Sequence, residues 1–474
     1  MKQRILPKKI IQSNNIIGAQ NLKIEKPDMV VLRRDQGWFD TIAVVKAPAS
    51  ITLDFGKEMN GGIRILTCGI DTFTTKVHIR FGESLSEANS TIGKKNSTNN
   101  HSIRDINAEL SMFADAYFGD TGFRYVRIDF LEDTTIYLQS IVCENYILRK
   151  KSIYNYDGDD KRIKDIFKVA KRTIDLCTTD NYVWDGIKRD RLIWIGDIHP
   201  EMLALSTLYG KTYQVENSLE FIKKHTPFGL WMNGIPTYSM WWVITVIDYY
   251  NRTGNAEFAK LQLDYINQLL LQIDGVISDD GTLNFPWYFV DWPTHGLKDA
   301  VAGVYYICKW MVNLAKEFFL KFGYDYSIVD KLILKLNKTT VEESDKKQII
   351  ALKYFAYGAI SEKDYLKLIE GNSKGMSTFM SYYILKAIAS VNVENAVKIA
   401  KEYFGTMIDL GATTFWEDFD LSWANGSCRI DKLPKKGQKS AHGDFGAHCY
   451  EGFRCSLCHG WATGVIAFIK EYCR

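Results

Sequence analysis

Residues 184–197 read Trp184-Asp185-Gly186-Ile187-Lys188-Arg189-Asp190-Arg191-Leu192-Ile193-Trp194-Ile195-Gly196-Asp197. Fourteen residues hold three carboxylates, three cationic side chains and two tryptophans. Their apolar positions keep neither a helical nor a strand period, so the stretch reads as a loop between helices. Gly186 and Gly196 let its backbone turn tightly. Carboxylates accept hydroxyl hydrogen bonds strongly, and indole faces cover the C–H faces of a sugar ring. The chemistry therefore suits a polyhydroxylated ligand. A solvated salt-bridge loop is the plain alternative, and two tryptophans argue against it, since exposed loops seldom carry them.

Outward from this loop the chain divides in two. Upstream, Ile51-Thr52-Leu53-Asp54-Phe55, Lys76-Val77-His78-Ile79-Arg80-Phe81, Tyr125-Val126-Arg127-Ile128-Asp129-Phe130 and Ile136-Tyr137-Leu138-Gln139-Ser140-Ile141 alternate in polarity. Asn60-Gly61-Gly62 and Asp120-Thr121-Gly122 read as the turns between them, and residues 87–100 as an exposed polar loop. Residues 1–152 are thus expected to form an antiparallel β-sandwich. From Asp157 the period changes to 3.6: Ile163, Ile166, Phe167, Ala170 and Ile174 make one helical stripe behind an acidic start signal. About twelve helices follow, with no sequence repeat. Residues 153–474 are expected to be all-α, which makes the fold multi-domain, all-β plus all-α.

The 474 residues allow two or three domains, with ample material for cores. The net charge of +3, from 59 basic and 56 acidic residues, implies no nucleic-acid partner. Nine cysteines lack disulfide-framework spacing, so reduced thiols are expected. Met1-Lys2-Gln3-Arg4 leads into no apolar signal segment, and no run of 18 apolar residues occurs. The expectation is a cytoplasmic protein without a membrane partner. The oligomeric state leaves no mark in the sequence.

The 184–197 loop resembles the acidic signature loop of bacterial α-L-rhamnosidases of glycoside hydrolase family 78, roughly Asp-Cys-Pro-Gln-Arg-Glu-Arg-Leu-Gly-Trp-Thr-Gly-Asp. Asp185, Arg189, Arg191, Leu192, Trp194, Gly196 and Asp197 match in place. Gly186, Ile187 and Ile193 depart from it, and Asp190 stands where that family has its general-acid glutamate. Asp54-Phe55-Gly56-Lys57, Arg80-Phe81-Gly82-Glu83-Ser84 and Gly122-Phe123-Arg124-Tyr125-Val126 resemble, more weakly, the β-sandwich preceding the family's catalytic domain. The resemblance implies that the helices close into an (α/α)6 toroid of six hairpins.

Three further loops carry the resemblance. Gly411-Ala412-Thr413-Thr414-Phe415-Trp416-Glu417 is similar to the family's Ala-Thr-Thr-Ile-Trp-Glu motif, which implies Glu417 as general base. Phe285-Pro286-Trp287-Tyr288-Phe289-Val290-Asp291-Trp292-Pro293 resembles a sugar-contact loop, with Asp291 in it and Trp292 as stacking platform; an apolar plug is the alternative. Cys455-Ser456-Leu457-Cys458-His459-Gly460-Trp461 matches a haem-attachment pattern, rejected for lack of an export signal. Zinc on Cys449, Cys455, Cys458 and a histidine is an alternative. The rhamnosidase resemblance instead makes His459 a sugar partner, without metal or cofactor. It further implies Asp190 as general acid and Asp185, Arg189 and Asp197 on ring hydroxyls. Trp194, Trp292 and Trp416 would wall the sugar site. Inverting enzymes hold the two carboxyls about 6.5–9.5 Å apart. The expected activity is removal of terminal α-L-rhamnose from a carbohydrate substrate, with inversion. Another six-hairpin enzyme, on a different deoxysugar or a uronic acid, and a non-catalytic glycan-binding relative are the alternatives. Glu201 and Glu451 stand next in line as acid.

Overall fold

The computed structural model describes residues 3–100 and 102–473. Six antiparallel strands come first: β1 (Gln3–Ile5), β2 (Lys9–Ile17), β3 (Ala43–Ile70), β4 (Thr74–Gly82), β5 (Asp105–Ser111) and β6 (Asp115–Asn145). They pair in the order β2-β3-β6-β4-β5, with β1 also on β6. All four alternating segments lie in β3, β4 and β6. Ala43, Val45, Ala47, Ala49, Ile51 and Leu53 of β3 point into one apolar core, as the two-residue period requires.

The expected turns at Asn60-Gly61-Gly62 and Asp120-Thr121-Gly122 are corrected. Both lie inside strands and pair with each other, Asn60 with Gly122 and Gly61 with Thr121, at a cluster of register shifts. Glycine within a strand marks a bend as readily as a turn. The polar loop is exposed at residues 91–96 and 99–100; Glu87, Ser90 and Ser97 are buried.

Twelve helices of eight or more residues follow among the described residues: α1 (Lys161–Cys177), α2 (Ile195–Tyr209), α3 (Tyr213–Lys224), α4 (Pro236–Thr253), α5 (Leu263–Asp274), α6 (Asp299–Phe322), α7 (Ser327–Leu336), α8 (Lys347–Tyr357), α9 (Glu362–Ile369), α10 (Ser381–Ala389), α11 (Val393–Asp409) and α12 (Val465–Tyr472). Asp160 caps α1 by accepting from the N–H groups of Arg162 and Ile163. The even-numbered helices pack in sequence, α2 on α4, α4 on α6, α6 on α8, α8 on α10, α10 on α12, and α12 returns to α2. Helix α2 is buried along its whole length, whereas α1 and α3 bury one stripe. None of the described helices is long and apolar enough to cross a membrane.

Polar contacts fasten the strands to the helices. Arg124 holds Asp54 bidentately at 2.8 and 3.0 Å and reaches the Gly411 carbonyl at 3.4 Å. The Glu58 N–H donates to Thr413 Oγ1, and the Asn60 amide to the Leu176 carbonyl. The sheet thereby abuts the segments that carry the candidate base and the signature loop.

Candidate active site

Backbone hydrogen bonds draw three distant segments together. Gly186 bridges His459, and the Gly460 N–H donates to the Asp185 carbonyl at 2.6 Å. The His459 N–H donates to the Phe415 carbonyl at 3.0 Å, and the Glu417 N–H to the Ser456 carbonyl at 2.9 Å. The expected 184–197 loop is corrected at its end, because Ile195 already opens α2 and Asp197 sits in its first turn. Gly196 and Pro200 obscured this start. Pro200 removes only one helical hydrogen bond near the beginning of a fully buried helix. Gly196 is required by packing: a Cβ there would lie 2.4 Å from the Tyr238 ring.

The result is a cavity of about 370 Å³. Eight of the ten site residues expected from the sequence line it: Asp185, Arg189, Asp190, Trp194, Asp197, Trp292, Glu417 and His459. The Arg189 guanidinium donates through Nη2 to Glu417 Oε1, and its Nη1 lies 3.9 Å from Asp190 Oδ1. Oε2 of Glu417 accepts the Ser456 N–H at 2.9 Å. Asp190 Oδ2 accepts the Trp194 indole N–H at 2.9 Å. His459 Nε2 faces Glu417, Asp185 and Asp197 at 3.6, 3.7 and 3.8 Å. Asp190 and Arg191 both adopt left-handed backbone conformations, φ 59° and 55°. Such positions cost about 1–3 kcal/mol each and gather at functional sites.

Burial dominates the electrostatics. Asp185 and Asp197 are held well above the ordinary carboxylate range, first by burial and then by neighbouring carboxylates. Burial also raises Glu417, against the opposing pull of Arg189. His459 is pushed well down by burial, with Arg189 adding to it, so its imidazole is neutral at neutral pH. The site thus gathers carboxyls raised by burial and by one another around one fixed cation.

Two expected residues lie elsewhere. Trp416 is fully buried in the core against Phe419, and Asp291 caps the turn at Trp292–Thr294 while accepting from Ser377. Neither lines the cavity, so their assignment as sugar contacts is corrected. Tyr238, Trp287, Tyr450 and Trp461 line it unforeseen. Trp287 and Trp461 stood in the aromatic loops already singled out; Tyr238 and Tyr450 had no sequence signal. Trp292 stacks at 5.9 Å on His448, and Trp461 lies 4.3 Å from the His459 ring. The two reserve acids also fall away from the cavity: Glu201 is buried with neither oxygen hydrogen-bonded, and Glu451 is exposed.

All nine cysteines are unbridged. Among the described residues, Cys449, Cys455 and Cys458 do not gather with a histidine at ligand spacing, which removes the basis for the zinc alternative. A larger cavity of about 530 Å³ is lined by Trp184 and Arg191 of the same loop with Tyr182 and Tyr213. The smaller one is the candidate active site because it alone gathers four carboxylates around a guanidinium.

No family model matches the chain, and no curated protein matches it by sequence. Solved structures do resemble it. A rhamnosidase from Klebsiella oxytoca, solved with rhamnose bound, superposes with a TM-score of 0.74 at 17% identity, over 100% of this chain and 96% of that one. A family 78 rhamnosidase of Bacillus sp. GL1 gives 0.68 at 18% identity, over 95% of this chain and 48% of that one. An α-L-rhamnosidase from Dictyoglumus thermophilum gives 0.67 at 16% identity, over 99% and 51%. At such identities the likeness speaks for architecture: the chain has the fold of the α-L-rhamnosidases.

Proposed function

We propose that the protein is a glycoside hydrolase that removes terminal α-L-rhamnose with inversion, using Asp190 as general acid and Glu417 as general base. The observation that carries this is the Arg189 guanidinium set between the two carboxyl groups in an aromatic cavity. One guanidinium span separates them, which is compatible with the roughly 6.5–9.5 Å of inverting pairs. In this reading residues 1–152 form a β-sandwich domain and residues 153–474 an (α/α)6 toroid. The closed succession of even-numbered helices supports the toroid.

The chemistry follows from the partners of each group. Glu417 keeps lone pairs beyond those taken by Arg189 and the Ser456 N–H, so it can accept a water proton. That water attacks the anomeric carbon as Asp190 passes its proton to the departing oxygen. Asp185, Asp197 and neutral His459 take ring hydroxyls, and Trp292 covers an apolar face. The test is turnover of 4-nitrophenyl α-L-rhamnopyranoside followed by proton NMR. Inversion gives β-L-rhamnose first; an initial α anomer overturns the mechanism, and no turnover beside cleavage of another aryl deoxyglycoside overturns the sugar.

A further inference from the structure

Lys188, next to Arg189, turns away from the cavity into a fully buried cage. Its Nζ lies 3.0 Å from Glu83 Oε2 and 3.2 Å from Glu87 Oε1, and it donates to the carbonyls of Phe453 and Cys455 at 2.9 and 2.6 Å. Glu83 follows β4, and Glu87 lies in the short turn Leu85–Ala88, so both belong to the strand-rich part. Glu83, Glu87 and His442 bring ligand atoms within 4.8 Å of one another, the spacing of a metal site. Here the Lys188 ammonium supplies the positive charge. His442 bonds to Ser84 Oγ and the Cys455 carbonyl, and burial holds it down to about 4, hence neutral.

Glu83 also reaches the base. It accepts the Leu457 N–H at 2.6 Å and the Ser456 hydroxyl at 3.2 Å. The Ser456 N–H is the group that holds Glu417 Oε2, and the Ser456 carbonyl accepts the Glu417 N–H. One carboxylate from the strands therefore fixes the two-residue segment that orients the base, and one lysine ties that carboxylate to the signature loop.

We propose that Glu83, with Lys188 as its internal counter-ion, is a positioning residue for Glu417, so that the strand-rich part completes the catalytic site. This rests on the reading of Glu417 as general base. A displacement of about 1 Å at a catalytic group can cost about 10²-fold. Glu83→Gln should thus lower kcat about ten- to a hundredfold with KM within about twofold. The loss should be equal on 4-nitrophenyl α-L-rhamnopyranoside and on a rhamnosyl disaccharide, because water activation is needed for both. Glu83→Gln/Glu417→Gln should be no slower than Glu417→Gln alone, the mark of two residues acting as one unit.

The experiment combines these rates with residue-resolved hydrogen–deuterium exchange of the full chain. In Glu83→Gln the N–H groups of both Leu457 and Ser456 should exchange at least about tenfold faster. Acceleration of Leu457 alone, or an unchanged kcat with only a lower Tm, overturns the proposal. If Glu83→Gln does not fold, Ser456→Ala, which removes the hydroxyl bound to Glu83 and keeps the N–H, should give the same leaving-group-independent loss at smaller size; no loss overturns it. A wild type that turns over no rhamnoside sinks the proposed activity instead, and the exchange measurement still decides the role of Glu83.

Discussion

The indole N–H of Trp194 donates to Oδ2 of Asp190 across 2.9 Å, four residues back along the chain. The Asp190 carboxyl is thereby held by a ring that itself lines the cavity. Trp194→Phe keeps an apolar ring and removes only the donor. It should lower kcat on a rhamnosyl disaccharide about tenfold and spare 2,4-dinitrophenyl rhamnoside, which needs little protonation. Equal loss on both substrates would make Trp194 a wall residue only.

The same substrates separate acid from base. Asp190→Asn should nearly abolish cleavage of rhamnosyl disaccharides and retain much of the activity on 2,4-dinitrophenyl rhamnoside. Glu417→Gln should damage both alike. Equal impairment by Asp190→Asn would reduce Asp190 to a binding residue.

Arg189 pulls the Glu417 carboxyl down against the effect of burial. Activity needs this carboxylate ionised, so it is lost as pH falls through its pKa. Removing the guanidinium in Arg189→Met should move the acid limb of kcat/KM up by about 1–3 pH units. A pH–rate profile of both proteins checks this, and an unmoved limb would detach Glu417 from the limb.

Trp292→Ala should raise KM about tenfold and change kcat less, if the ring binds ground state and transition state alike. A fall in Tm with unchanged KM would place the ring's contribution in its packing on Phe289 and Tyr450.

Glu201 is fully buried, neither of its oxygens has a partner, and burial holds its pKa well above the ordinary carboxylate range. The folded state keeps a proton that the unfolded chain releases, so its contribution to stability falls as pH rises above the ordinary Glu value. The slope reaches about 1.4 kcal/mol per pH unit. Chemical denaturation between pH 5 and 8 should show wild type losing stability more steeply than Glu201→Gln. Parallel slopes would mean that the carboxyl ionises in the fold.

What could be read from the sequence follows the reach of local pattern. The stripe from Ile163 to Ile174 set α1, because a helix with one wet face advertises its period. Helix α2 has no wet face, so its start at Ile195 carried no period. A glycine pair predicts a turn as readily as the irregular pairing that β3 and β6 make there, since both uses need the same freedom. Glu417 was legible from its motif while its neighbour Trp416 was misplaced. Trp416 instead packs on Phe419 in the core, a tertiary contact that the motif does not carry. Tyr238 and Tyr450 reach the cavity only because α4 and the segment after Ala447 fold back on it.

The hydrogen bonds linking residues 185–186, 415–417 and 456–460 run from peptide to peptide. Every amino acid except proline brings the same N–H and C=O to such a seam. These peptide-to-peptide bonds are themselves indifferent to which side chains the seam carries. That gives a physical reason why this architecture survives at 17% identity to the Klebsiella rhamnosidase. It also marks what an engineer must keep there: no proline can interrupt the seam, and Gly460 stays, since a Cβ there would fall 1.8 Å from Glu201.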